Sequence, residues 1–415
     1  MGFCPQCGVN RPLEEIAESK KSKRSPSKSV GLDEARDTIG ERFHTGWGEI
    51  DRVLGGGLVS GSVILIGGEP GVGKSTLLLQ VAGFMAERDG TVLIASAEES
   101  AHQVAMRAQR LGLGGNAIQL VSDDDTDAIV ALTQNMRPDL LVVDSIQTVG
   151  VKELPSGPGG VAQVRESAAR LVRVAKTLGV PVVLIGHVTK DGGLAGPKLL
   201  EHMVDVVLYL EGDPDRGFRV LRSIKNRFGP THISGMFDMR SEGLVEVDDP
   251  SKAFLSGWES EVAGTVVYPA VEGRRSILVE IQALVTRTNQ SQPRRSIRGV
   301  DATRVNQVLA VLDRHANMKL YEHEVYVNVV GGWRLDEPGC DLPVALAIAS
   351  SRLDRPLGRL AAYGEMGLAG EVRSIPFETR RIEELDRMGV TQRIAPGGGE
   401  PMRLTQALRI AGLQS

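Results

Sequence analysis

Gly68-Glu69-Pro70-Gly71-Val72-Gly73-Lys74-Ser75-Thr76 satisfies the pattern G-x-x-x-x-G-K-[ST] and decides the fold. It sits between an apolar run, VILIG at 63–67, and a helix-forming run, TLLLQVAGFM at 76–85. A strand before and a helix after are what a phosphate cradle requires. The glycines let the backbone wrap an anion with its N–H groups turned inward, and the helix N-terminus adds a favourable dipole. In such a cradle Lys74 reaches the β- and γ-phosphates, Ser75 holds Mg²⁺, and Thr76 lies one step further into the helix. A chance Gly-rich turn is the plain alternative.

Outward from the cradle, short apolar runs alternate with helical stretches: TVLIAS at 91–96, LLVVD at 140–144, PVVLIG at 181–186 and VVLYLEG at 206–212. Near-continuous apolar strands separated by helices predict an α/β fold with a mostly parallel sheet covered on both faces. Asp144 ends the strand LLVVD, on the edge that faces a ligand crevice, and is the expected second Mg²⁺ group. An acid there also serves as an ordinary helix cap. Glu98 follows TVLIAS and is placed to polarise an attacking water, with Glu99 competing for the role; either can instead support the first turn of the next helix.

Bulk composition bounds the rest. With 415 residues the chain is too long for one ordinary core, and 41% hydrophobic with 24% charged residues is a globular composition. There is no apolar run of bilayer length and no secretory h-region, so a cytoplasmic protein without a membrane partner is expected. A net charge of −4 gives no global case for nucleic acid, so any DNA contact must come from local patches or a channel between subunits. Three cysteines, Cys4, Cys7 and Cys340, cannot build a disulfide framework.

Composition shifts divide the chain into a Cys-containing knuckle at 1–12, a basic Ser-rich linker at 13–42, an ATPase-type domain at 43–250 and a second α/β domain at 257–415. The last carries paired strands at 264–271 and 276–285, a helix at 302–315, a strand at 324–330, a helix at 342–351, a Gly-rich strand pair at 363–372 and two further helices. Loop 150–160, GVKELPSGPGG, is flexible by composition.

The order of elements resembles the RecA/DnaB class of motors. Lys225-Asn226-Arg227-Phe228-Gly229, the run GHVTKDG at 186–192 and LLEHMVD at 199–205 narrow the resemblance to the bacterial RadA (Sms) family of DNA repair proteins, over nearly the whole chain. What this resemblance implies is a RecA-like P-loop NTPase core joined to a Lon-protease-like C-terminal α/β domain. The expected activity is a DNA-stimulated ATPase that binds ATP/ADP and Mg²⁺, moves on single-stranded DNA and promotes branch migration. The implied assembly is a homo-oligomer, a hexameric ring, with branched DNA and recombinase filaments as partners.

By the same resemblance Lys225 and Arg227 reach the neighbouring subunit's γ-phosphate, and His187 is the polar sensor linking phosphate state to the DNA loops. From residues alone, Lys225 to Gly229 is only a basic turn, and a His at a strand end is commonly structural. Lys190 and Arg165 are expected phosphate contacts, and Phe228 a stacking face. Arg274, Arg275 and the stretch 287–298 form local basic patches, equally readable as soluble connectors.

Two departures matter. Cys4 and Cys7 resemble the second half of the family's four-cysteine zinc ribbon, so the Zn²⁺ site is incomplete. A Lon-type protease needs a Ser nucleophile and a Lys, yet the matching stretches read DEPGCDL at 336–342 and IPFETRR at 375–381, with Thr379 at the Lys position. A proteolytically inert domain is expected, with Cys340 a packed thiol. An ATP-dependent protease and a nucleotide switch without motor activity are the rival readings.

Overall fold

A computed structural model describes residues 42–415 apart from 188–196, 213–216, 232, 256, 258–261, 274, 291, 398–400 and 415. Its first part runs β1 (Arg42–Phe43), α1 (Gly48–Leu54), β2 (Leu58–Val59), β3 (Val63–Gly68), α2 (Lys74–Ala86), β4 (Val92–Ser96), α3 (Ala101–Arg110), β5 (Ile118–Val121), α4 (Thr126–Met136) and β6 (Leu140–Asp144). It continues through α5 (Val161–Leu178), β7 (Val182–His187), α6 (Pro197–Leu200), β8 (Val206–Glu211), β9 (Phe218–Asn226), β10 (Ser234–Arg240) and β11 (Gly243–Glu246).

These strands make a nine-stranded sheet of order β11-β10-β9-β8-β3-β7-β6-β4-β5. From β8 to β5 neighbours are parallel, whereas β9, β10 and β11 add an antiparallel edge. The cause is visible in the strands: β3 is buried throughout, and β4 likewise, because helices cover both faces. One face packs Ile64, Leu77, Val81, Val142 and Phe237, and the other Leu65, Leu93, Leu141, Leu171 and Leu184. Arg42 opens the first strand and donates to the carbonyls of Gly55 and Phe228.

Loop 150–160 differs from its composition-based expectation. The buried Gln163 on α5 accepts from Val151 N at 2.7 Å and donates to the carbonyls of Val151, Leu154 and Ser156, so one amide fastens the loop backbone. The loop's Gly, Ser and Pro content says nothing of a clamp supplied by the next helix.

After α7 (Pro250–Phe254) the second part contains β12 (Thr265–Glu272), β13 (Arg275–Arg287), β14 (Arg295–Arg298), α8 (Ala302–Ala316), β15 (His323–Val329), α9 (Asp341–Leu353) and β16 (Leu360–Ala362). It ends with β17 (Glu365–Met366), β18 (Glu371–Arg373), α10 (Glu378–Arg387), β19 (Gln392–Ile394), β20 (Met402–Arg403) and α11 (Leu404–Ile410). Its main sheet has the order β14-β15-β13-β12-β16-β19 and mixes parallel with antiparallel pairs. Alternation along β15, with Val325, Val327 and Val329 buried, marks a strand covered on one face, whereas residues 265–270 of β12 are buried without a break and covered on both. The core of this part takes in Met236 and Val247 and is packed by Phe218 and Val220, so the antiparallel edge of the first sheet is a shared apolar surface.

Arg381 on α10 is fully buried. Its guanidinium donates to Tyr268 Oη at 3.1 Å, to the Pro269 and Pro376 carbonyls, and to Glu337 Oε2 at 2.5 Å. Removing one partner from such a network strands the others without compensation. Arg381→Ala is therefore expected to destabilise the protein by about 3 kcal/mol, measured as a lower urea midpoint.

Candidate active site

Gly68 to Thr76 form a turn between the end of β3 and the start of α2. Gly71 (φ +78°) and Gly73 (φ +115°) occupy left-handed backbone, and a Cβ on Gly73 would come within 2.7 Å of Met239 Cε. Glu69 and Pro70 are exposed at the tip, Val72 is buried beneath it, and Ser75 and Thr76 are half-buried at the helix start. Arg219 on β9, only 5% exposed, donates from Nε to the Val72 carbonyl at 2.9 Å and so supports the turn from below. Sequence reasoning missed Arg219; its place as an inward residue of the alternating FRVLR stretch was the available signal.

Lys74 is buried and donates to the carbonyls of Gly68 and Glu69, both at 3.0 Å. Desolvation pulls its pKa below the usual lysine range, against the opposing pull of Asp144 and Glu98. An ammonium so placed lies over the turn from which the backbone N–H groups of α2 emerge.

Strand register then brings the acids to the cradle. β3 pairs with β7 so that Gly68 lies opposite His187, and β4 pairs with β6 so that Ser96 lies opposite Asp144. Asp144 is bonded by the Ser75 side chain, while burial, seconded by Glu98, raises its pKa above the normal carboxylate range. Glu98 Oε1 accepts from Ser145 Oγ at 2.7 Å and lies 3.2 Å from His187 Nε2. That last contact is close but poorly aligned, and neither ring nitrogen has a hydrogen-bond partner among the described residues. Glu98, Asp144 and His187 present ligand atoms within 4.8 Å of one another. Hydroxyl and carboxylate oxygens from Ser75 and Asp144 are the hard donors that suit Mg²⁺.

Glu99 is turned elsewhere. It forms an ion pair with Arg107, and its N–H donates to Ser96 Oγ. Ser100 and Gln103 close a capping box on α3 that fixes this turn, leaving Glu98 as the glutamate that faces the cluster. Gln147, not foreseen from sequence, brackets the His187 backbone: Nε2 donates to the His187 carbonyl at 3.2 Å and Oε1 accepts from its N–H at 3.3 Å.

Lys225 and Arg227 lie elsewhere. Asn226 pairs with Val206, which pairs with Ile64 at the opposite end of β3 from Gly68. Four strand residues separate the levels, about 13 Å at the usual rise. Lys225 Nζ donates to the carbonyls of Glu201 (2.7 Å) and Val204 (2.8 Å), and Arg227 Nη1 lies 3.2 Å from Asp205 Oδ1. Asn226 is buried, donating to the Leu54 carbonyl and accepting from Phe228 N–H. Phe228, the expected stacking face, is half-buried and packs against the core of the first part.

Among the basic candidates, Arg165, Arg287, Arg294 and Arg298 are exposed. Arg295 is committed to the carbonyls of His323 and Leu320, and Arg275 to the Asp248 carbonyl and Glu49. Cys4, Cys7, Lys190 and Arg274 lie outside the described residues.

In the C-terminal part Cys340 is wholly buried, and desolvation pushes its thiol up to about 12. A Cβ on the adjacent Gly339 would meet Ile375 Cδ1 at 2.4 Å and Tyr268 Oη at 2.7 Å. Thr379 is exposed on α10.

Because Asp144 has its folded pKa raised, its favourable contribution to stability is present below the unfolded value and lost as pH rises through the folded one. Asp144→Asn should therefore raise the thermal midpoint of the metal-free protein near neutral pH by about 2 °C, a gain that vanishes toward about pH 4. Melts across a pH series check this.

A family model described as "AAA domain" matches residues 48–193. DNA repair protein RadA of Bacillus subtilis is 44% identical over 410 residues, which is 95% of this chain and 89% of its own length. RadA of Pseudomonas aeruginosa is 45% identical over 418 residues, 99% of this chain and 92% of its own length. RadA of Escherichia coli is 47% identical over 374 residues, 90% and 81%. A crystal structure of the RadB recombinase aligns over 49% of this chain and 99% of its own, at 23% identity and a TM-score of 0.40. With its RecA-like P-loop core of α/β class, the chain belongs to the RadA family of DNA repair proteins.

Proposed function

We propose that the protein is a DNA-stimulated ATPase that moves along single-stranded DNA and promotes branch migration of recombination intermediates. It works in the cytoplasm as a homo-oligomer, a hexameric ring that also meets branched DNA and recombinase filaments. The observation that carries this reading is the division of charge along β3, with cradle and acids at one end and Lys225 and Arg227 at the other.

Each residue has a task in that scheme. Lys74 exchanges its two loop carbonyls for β- and γ-phosphate oxygens, and the N–H groups from Gly71 to Thr76 surround the β-phosphate. Ser75 and Asp144 hold Mg²⁺, which when bound neutralises charge on the phosphates. Glu98 orients the attacking water, steadied by Ser145 Oγ. His187, with two unpaired ring nitrogens beside Glu98, registers the γ-phosphate and passes its state through Gln147 to loop 150–160. Lys225 and Arg227 cannot bend back about 13 Å to their own cradle, so they serve the neighbour's, offsetting charge that develops in the transition state. Exposed Arg165, Arg287, Arg294 and Arg298 supply phosphate contacts with DNA.

The C-terminal domain, Lon-protease-like by resemblance, acts without proteolysis. The stretch 336–342 that matches the nucleophile region holds no serine, a side chain at its Gly339 would collide with Ile375 and Tyr268, and Arg381 is paired with Glu337 beside it. Native Cys340 should resist iodoacetamide at pH 8 and react only after unfolding, as read by mass spectrometry of its peptide.

Steady-state ATPase assays with and without single-stranded DNA test the motor. DNA should stimulate the natural protein, Lys74→Ala should abolish turnover, and Arg227→Ala should lower kcat by about 1000-fold. Turnover indifferent to DNA would remove the motor, and a normal rate in Arg227→Ala would remove the cross-subunit role.

A further inference from the structure

Lys225 and Arg227 are both held by one short turn, residues 201–205, between α6 and β8. The carbonyls of Glu201 and Val204 accept from Lys225 Nζ. Asp205, 4% exposed, takes Arg227 twice: its carbonyl accepts from Arg227 N–H at 3.1 Å, and its Oδ1 lies 3.2 Å from Nη1. The other carboxylate oxygen is used differently. Oδ2 accepts from Val63 N–H at 3.0 Å and from Lys176 Nζ at 2.6 Å, tying the turn to the start of β3 and to α5.

One oxygen thus belongs to the fold and the other to Arg227. The Arg227 side chain is 55% exposed and is gripped by this carboxylate through one nitrogen, so the rest of its planar fork is available to an anion arriving from outside. From this division of labour we infer that Asp205 is a positioning residue, which presents Arg227 of its own subunit to the phosphate of the adjoining one. This rests on the cross-subunit reading above. Asp205 sits at the level of Val63, at the far end of β3 from the P-loop, so any effect on hydrolysis through its own cradle must travel the length of the strand.

The isosteric Asp205→Asn separates the two roles. A carboxamide has one acceptor oxygen; directed to Val63 N–H and Lys176, it keeps the bonds of the fold and turns its NH₂ group toward Arg227, where donor would face donor. The full-length variant is expected to bind Mg-ATP normally and to keep its KM, with kcat lowered about tenfold.

Co-assembly with Lys74→Ala supplies the decisive readout. That partner cannot hydrolyse in its own cradle but carries an intact Asp205 and Arg227. In a one-to-one mixture about half of the intact P-loops adjoin such a face, and turnover per intact P-loop should return to about half the wild-type rate. Arg227→Ala mixed with Lys74→Ala is run in parallel. If Arg227→Ala is rescued but Asp205→Asn is fully active, unfolded, or inactive without rescue, Asp205 has no positioning role and the cross-subunit reading stands. If Arg227→Ala keeps full turnover, or loses it without rescue, that reading itself fails and the inference falls with it.

Discussion

The parallel ladder through β3 is the constraint from which the candidate site follows. β3 is hydrogen-bonded on one side to β7 and on the other to β8, all running the same way, and β6, β4 and β5 extend the array. Parallel strands end together. Gly68, His187, Asp144 and Ser96 therefore arrive at one edge without any direct link between the segments that carry them. A buried ladder is also costly to shift, because a slip by one residue would turn every apolar side chain of β3 to the wrong face. The spacing between cradle and acids is thereby set by backbone hydrogen bonds. Side-chain contacts such as Ser75 with Asp144 and Ser145 with Glu98 refine it.

Reversal of direction at β9 has the opposite consequence. An antiparallel neighbour of β8 must end where β8 begins, so Lys225 and Arg227 emerge beside the start of β3. Strand polarity alone divides the groups into one set beside the glycine-rich turn and another at the opposite end of β3. The bonds that restrain the second set are of a kind that can be exchanged: two carbonyls for Lys225, and one carboxylate oxygen for a half-exposed guanidinium. Buried Asn226, between them, is committed to α1 and to Phe228 and holds the turn independently of the two cations.

Much of this was legible in the residues because it depends on local rules. A glycine-rich turn between an apolar strand and a helix has few readings, and Asp144 and Glu98 are found by counting along their strands. What stayed hidden depends on partners distant in sequence. Nothing near Glu99 announces that Arg107 will take it; nothing in the Gly- and Pro-rich loop 150–160 announces Gln163. Arg219 beneath the cradle and the packing of Phe228 are likewise consequences of the antiparallel edge. Composition sees that edge as ordinary alternating strands, while register gives it a location.

The C-terminal part illustrates how one buried cation can join several elements. Around Gly339 the space that a side chain would need is filled by Ile375 and by the hydroxyl of Tyr268, whose ring lies in the core. Arg381 is buried there at a desolvation cost that Glu337, Tyr268 and two carbonyls offset. A guanidinium so enclosed ties α10, β12 and the turn before α9 together. What such a network does provide is rigidity next to a surface. β12 meets the ATPase sheet through Glu272 and Arg222, and Arg222 also lies over the Trp333 ring, 5.1 Å from its centroid. The antiparallel edge of the first sheet thus abuts a stiff element of the second part.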